Sequence, residues 1–312
     1  MYHIRPFAEK DRLAVEAIGV EIIDYWDQHV ALHLVAGDPV VGHLQVVDRG
    51  TTPSRRPGSI EMRLTVAPAH RRQGIGSRLY ERALAFAGER QADSIRVSYV
   101  EHSPEEPALF FLKQRGFVEL QRYQPSRLDV SACDLSQFQG VEQRLVAEGV
   151  RFFTYADVPD TGENRRKLHT LDQEARTDLP YLGDPEPSVP EPYAESWIAK
   201  LTEEQFPMIQ LAAIEERWVG ISASSVSWGF TGVIPAFRRR GIATALKVRA
   251  IRAAKERGVQ TLETENRANN VGMLAINRKL GYQFGPAEVE CIKRLRTDGS
   301  LGPRRGGHHC SW

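Results

Sequence analysis

The chain has 312 residues, enough for two domains of ordinary size, each with its own buried core. Its 41 basic side chains against 40 acidic ones give a formal charge of +1, which excludes the one-sided fields of nucleic-acid-binding and membrane-surface proteins. Cys133, Cys291 and Cys310 are odd in number and lack CxxC spacing, so neither a disulfide framework nor a zinc site is expected and a reducing, cytoplasmic setting fits.

In chain order the first elements are a strand, HIRPF, and a helix around residues 8–20 with Leu13, Ala17 and Val20 on one face. No apolar signal core precedes them, and no stretch approaches the roughly 20 apolar residues that cross a bilayer, so no membrane partner is expected. His33 to Val47 reads as two strands around Gly37-Asp38-Pro39, and Ile60 to Val66 as a third, with Ile60, Met62 and Leu64 alternating. The helix SRLYERALAFAGE, the strand SIRVSYV and the helix PALFFLKQRG follow, the last stopped by Gly116.

DLSQFQGVEQRLVAEG then reads as a linking helix, and Arg151-Phe152-Phe153 opens the first strand of a second half. The five prolines of LPYLGDPEPSVPEPY preclude regular structure, leaving a solvated loop or a lid over an acceptor site. ISASSVSWGFTGV leaves hardly any room for a full hairpin. Tyr25, Trp26, Trp197 and Trp218 read as core aromatics rather than substrate platforms. The ending RTDGSLGPRRGGHHCSW has no periodicity; a frayed tail offers His308, His309 and Cys310 no supporting shell, so no metal is expected.

One segment occurs twice: VAPAHRRQGIG at 66–76 and VIPAFRRRGIA at 233–243, identical at seven of eleven positions. Each copy follows a strand, opens an amphipathic helix, and precedes a second helix ending in a Gly-aromatic pair, Gly116-Phe117 and Gly281-Tyr282. A duplication follows, with domains at 1–133 and 134–296 and a tail at 297–312. The shared spacing is RxxGxG/A: Arg71, Gly74 and Gly76, then Arg238, Gly241 and Ala243. At a strand-to-helix turn, small residues admit a ligand to the backbone and the helix start offers unpaired N–H groups. Such an end suits a phosphate, and Arg71, Arg72, Arg238 and Arg239 bring full charges nearby. Neither GxGxxG at these turns nor GxxxxGK[ST] anywhere is present, which removes dinucleotide-fold and P-loop readings.

These residues resemble the coenzyme A pyrophosphate loop of the GNAT N-acetyltransferase superfamily, and the resemblance covers almost the whole chain apart from the tail. It implies an α/β (α+β) fold class, with two tandem GNAT folds, each a mixed, mostly antiparallel sheet flanked by helices. It also implies acetyl-CoA as cosubstrate, a small-molecule or peptide amine as acceptor, and direct attack in a ternary complex by a monomer or homodimer. The loop residues carried over are Val66, Arg71, Arg72, Gly74, Ile75 and Gly76, then Val233, Arg238, Arg239, Gly241, Ile242 and Ala243, with Asn270 on the coenzyme arm.

Glu61 stands where the superfamily often carries its base; Trp228 takes that place in the second copy, where Glu263 and Glu265 are the candidates instead. In the superfamily a later helix often carries an Asn that contacts the coenzyme and, seven residues on, a Tyr that protonates the departing thiolate; these places hold Glu105 and Leu112 in the first copy and Asn270 and Asn277 in the second, so both copies lack the tyrosine. Asn269 reads as a helix cap. The second copy has the stronger coenzyme claim and the first the stronger base. The tandem arrangement also resembles that of mycothiol synthases, which would make the acceptor a cysteinyl pseudodisaccharide. The missing tyrosines leave an acyl-CoA-binding sensor as the non-enzymatic alternative.

Overall fold

The computed structural model describes residues 2–20, 30–48, 58–102, 107–177, 196–223 and 230–295. The Pro-rich stretch, the tail, Tyr25, Trp26, Glu105, Trp228 and the side chain of Trp197 lie outside the described residues. Two compact units form: unit 1 from residues 1–98, 107–118 and 290–312, unit 2 from 99–106 and 119–289. The division at 133/134 therefore separates the two sequence repeats but not the two folded units.

Unit 1 begins with β1 (Ile4–Pro6), a 3-10 turn and the short helix α1 (Arg12–Ala17). The antiparallel strands β2 (Val30–Ala36), β3 (Gly42–Asp48) and β4 (Ser59–Val66) follow. Leu13 does not face the core as its spacing implied; it is 79% exposed, and Val15 packs against Val35 and Val40 instead. The physical reason is length: a six-residue helix has too few turns for periodicity to set its face, which the flanking 3-10 turn decides.

Helix α2 (Ile75–Glu89) turns Ile75, Leu79, Tyr80, Ala83 and Ala87 inward, the helical repeat that the sequence showed. It closes on the sheet at Gly42, where a Cβ would meet Ile75 Cγ2 at 2.9 Å. β5 (Ser94–Glu101) and α3 (Pro107–Lys113) follow, and Gly116, at φ +77, ends that passage. Strand β6 (Val118–Asp129) belongs to unit 2 from Glu119 onward.

In unit 2, α4 (Gln139–Ala147) leads into β7 (Val150–Thr154), and α5 (Gly162–Arg176) precedes β8 (Gln210–Ile214). β9 (Arg217–Ser222) pairs antiparallel with β10 (Thr231–Val233), so the hairpin for which the sequence left little room is made. The four-stranded antiparallel order is β10-β9-β8-β7. Trp218 packs on Phe153 and Tyr155, as a core aromatic should.

Helix α6 (Ile242–Glu256) repeats the close approach of α2: a Cβ on Gly220 of β9 would meet Leu246 at 2.9 Å and Ile242 at 3.1 Å. β11 (Thr261–Arg267), α7 (Val271–Lys279), β12 (Gln283–Phe284) and β13 (Ala287–Arg294) complete the order. β11 and β12 both pair antiparallel with β6. From Glu290, β13 belongs to unit 1, where Glu290 pairs with Arg96 at 2.9 Å and Lys293 Nζ donates to the Tyr80 hydroxyl at 2.9 Å. Each unit thus includes a strand from the other sequence repeat.

Candidate active site

The repeated segment builds the same backbone twice. In each copy a strand ends at a valine and a 3-10 turn follows, Pro68–His70 or Pro235–Phe237. Then come an extended arginine (Arg71 at φ −67, ψ 161; Arg238 at φ −69, ψ 166) and a left-handed arginine (Arg72 at φ +63; Arg239 at φ +60). A left-handed glycine caps the helix, Gly74 at φ +79 or Gly241 at φ +98. No side chain caps either helix, and the helical bonds begin with Arg78 N to Gly74 O and Ala245 N to Gly241 O. The N–H groups of residues 75–77 and 242–244 therefore have no intrahelical acceptor, which leaves helix-start donors at both turns.

The arginines divide the work. Arg71 Nε donates to the Val66 carbonyl at 3.2 Å, and Arg238 Nε to that of Val233 at 2.8 Å, so this side chain ties the turn to its strand. Arg72 and Arg239 are exposed at the rim. Ile75 and Ile242 are buried anchors beneath the loop, and Ala243 packs against the unit 2 core.

The surroundings differ. In unit 1 the Phe111 ring stands 3.2 Å from where a Cβ on Gly76 would lie, and Arg115 covers that ring and donates to Ser77 Oγ at 2.7 Å. In unit 2, Arg144 of α4 reaches loop 2: its Nη2 donates to the Arg240 carbonyl at 3.1 Å and lies 3.0 Å from a Cβ position on Gly241. Sequence reasoning missed Arg144 because 97 residues separate it from Gly241, and only the packing of a linking helix joins them.

The strands beside both loops diverge. β4 and β5 pair in parallel only through Ser59, Ile60 and Glu61, the last opposite Arg96. Glu61 thus sits at the closed end of the gap, bonded to Arg63 at 3.2 Å. In unit 2, β10 pairs with β9 and β11 with β6, and among the described residues β10 and β11 share no ladder. Glu263 and Glu265 alternate with Leu262, Thr264 and Asn266 along β11. Glu263 is 75% exposed at 4.0 Å from Arg127. Glu265 differs: desolvation at the sheet surface, with the neighbouring Glu288 carboxylate, raises its pKa above the ordinary carboxylate range.

Asn270 caps α7, accepting from Met273 N at 3.3 Å, the role expected of Asn269. Asn269 Oδ1, Asn266 Nδ2 and both amide atoms of Asn277 are buried without a hydrogen-bond partner among the described residues. Asn277 is 0% exposed, and its counterpart in unit 1 is the apolar Leu112. Among the described residues no three His, Cys, Asp or Glu side chains gather to hold a metal, and no helix is long and apolar enough to cross a membrane.

Comparison with known proteins places these features. A mycothiol acetyltransferase of Clavibacter sepedonicus is 25% identical over 292 residues, covering 92% of this chain and 86% of the relative. The crystal structure of a GCN5-related N-acetyltransferase from Sphaerobacter thermophilus shares the fold at a TM-score of 0.67 and 20% identity, over 95% of this chain and 96% of that one. A tandem GNAT protein from the clavulanic acid biosynthesis pathway does so at 0.57 and 18%, over 94% and 98%. The model of the acetyltransferase (GNAT) family matches twice, over residues 4–117 and 166–282, each match holding one glycine-capped loop, so the chain belongs to that family as a tandem N-acetyltransferase.

Proposed function

We propose that the protein transfers the acetyl group of acetyl-CoA to a primary amine of a small molecule or peptide, by direct attack in a ternary complex, with turnover in unit 2. The observation that carries this reading is the set of four buried amide atoms, unpartnered among the described residues, on Asn266 of β11, Asn269 of the turn after it and Asn277 of α7. A buried polar group without a partner costs about 1–3 kcal/mol, so four on one stretch of chain point to a ligand that supplies the missing partners. The coenzyme's pantetheine arm carries amides of that kind, and its pyrophosphate suits the glycine-capped start of α6.

Acetyl-CoA supplies the activated thioester; the chain must position both reactants and take a proton from the amine. Asn270, whose Oδ1 caps α7, keeps its amide N–H groups to offer the coenzyme arm. Glu265 is the preferred base, because burial and the Glu288 carboxylate raise its pKa, whereas Glu263 lies exposed beside Arg127. Unit 1 is the second reading for turnover, favoured by Glu61 at the closed end of the β4–β5 gap. There the first loop, tightened by Phe111, would otherwise hold coenzyme without chemistry.

The test is release of free coenzyme A thiol from acetyl-CoA over an amine panel that includes thiol-bearing cysteinyl sugars, chosen because the Clavibacter relative is named for mycothiol. Amine-dependent release supports transfer. Binding of acetyl-CoA with no release for any amine would leave the sensor alternative.

A further inference from the structure

In each unit the residue at one helix position meets a lysine or a tyrosine, but the partner comes from a different element. Six residues beyond the capping glycine, α6 carries Lys247 and α2 carries Tyr80. That is about 9 Å along either helix axis, on a turn where a buried apolar residue would be ordinary. In unit 2 Lys247 is 3% exposed, has no ion pair among the described residues, and holds its Nζ 4.8 Å from the centroid of the Tyr282 ring. In unit 1 the helix carries Tyr80 instead, Phe117 stands where unit 2 has Tyr282, and Lys293 of β13 donates to the Tyr80 hydroxyl at 2.9 Å. An ammonium buried against a ring face is poorly compensated, and removing water alone pushes the Lys247 pKa down to about 8. Such a group contributes little to stability, so its burial in unit 2 needs another reason.

Next to the couple stands Asn277. Its carbonyl accepts from Tyr282 N at 3.0 Å, while both its side-chain amide atoms are buried and unpartnered among the described residues. Burial opposes ionisation of Tyr282, and it raises the pKa of Cys133, the titratable group beside that ring. Neither is an anion that would hold Lys247 permanently. Resting on the acetyl-CoA reading above, we infer that Lys247 is the proton donor to the departing coenzyme A thiolate in unit 2, the role left vacant by the missing tyrosine of α7. The amine nitrogen forms its bond to the acetyl carbonyl carbon, and the carbon–sulfur bond breaks. The sulfur takes a proton from the Lys247 ammonium, and Lys247 regains one from solvent. The proton lost by the amine goes to the base. Nothing is oxidised or reduced.

The experiment needs no acceptor. Coenzyme A itself is bound to the full chain carrying Gly74→Asp, so that the second loop is the one to load, and its thiol is titrated by thiolate ultraviolet absorbance. With Lys247 present, the bound thiol should ionise at least tenfold more readily than free coenzyme A. In Lys247→Met the advantage should vanish while coenzyme affinity holds within about threefold and thermal unfolding is unchanged or later, since a buried cation has been removed. Lys247→Arg should retain part of it. Tyr282→Phe serves as a second variant that keeps the ring face and should leave the thiol ionisation close to that of the chain with Lys247 and Tyr282 both in place. A bound thiol that ionises alike with Lys247 present and in Lys247→Met would overturn the assignment. Equal loss of affinity for coenzyme A and its desulfo analogue in Lys247→Met would do the same. Failure of coenzyme A to bind at all would instead overturn the acetyl-CoA reading on which it rests.

Discussion

At the scale of single residues, the informative positions are those where burial and polarity disagree. Asn277 is the sharpest case, because the other repeat has Leu112 in its place. Asn277→Leu should raise the stability of the free protein by about 1–3 kcal/mol, the cost of the unpartnered amide, and weaken acetyl-CoA binding to unit 2. Thermal unfolding and calorimetry on one preparation check both signs; a variant that is less stable and binds unchanged would make Asn277 a packing residue. Asp11 tests the opposite situation. It takes both guanidinium nitrogens of Arg5, at 2.6 and 2.7 Å, and the Ala8 N–H at 2.9 Å. The Arg5 hydrogen bonds foremost hold its pKa down at about 2, against burial. A depressed carboxylate gives stability that is complete above its unfolded value of about 4 and is lost as pH falls through about 2. Asp11→Asn should cost about 1 kcal/mol at neutral pH, as loss of a capping carboxylate does, and should flatten the acid-side decline of unit 1 in that window.

At the scale of elements, the two glycine-capped loops were legible in the sequence because local chemistry alone dictates them. Left-handed backbone at Gly74 and Gly241, a proline opening the 3-10 turn and an arginine tying it to the strand all lie within eleven residues. What was not legible depends on chain segments far apart. Arg144 over Gly241, Phe111 against Gly76 and the Lys247–Tyr282 couple are products of helix packing, to which no local pattern points. The short α1 shows the same limit in its orientation, with Leu13 outward and Val15 inward. The loops make a direct prediction. Gly241→Asp strains a φ of +98, brings a carboxylate within reach of Arg144, and sets negative charge against phosphate, so coenzyme affinity of unit 2 should fall at least tenfold, about 1.4 kcal/mol. Gly74→Asp does this to unit 1 where a side chain meets open space, so circular dichroism should show that chain folded. Calorimetry on each variant reads which unit lost its site.

For the whole molecule, the duplication seen in the sequence is real, yet the folded units do not respect its midpoint. Unit 1 needs residues 290–294, whose Glu290 and Lys293 engage Arg96 and Tyr80, and unit 2 needs β6, which pairs with β11 from Asp129 to Tyr123. The sequence could not show this, since no local pattern in residues 118–129 or 287–294 says which distant segments they join. Expressed separately, fragments 1–133 and 134–296 should therefore fail to give cooperative unfolding, while their mixture should recover part of it; independent cooperative folding of both fragments would contradict the exchange. The central claim, acetyl transfer supported by unit 2, is tested most directly by amine-dependent release of coenzyme A thiol in the wild-type, Gly74→Asp and Gly241→Asp chains. The account predicts turnover that survives Gly74→Asp and falls at least tenfold in Gly241→Asp. Turnover that survives Gly241→Asp and disappears in Gly74→Asp would contradict it and move the chemistry to Glu61.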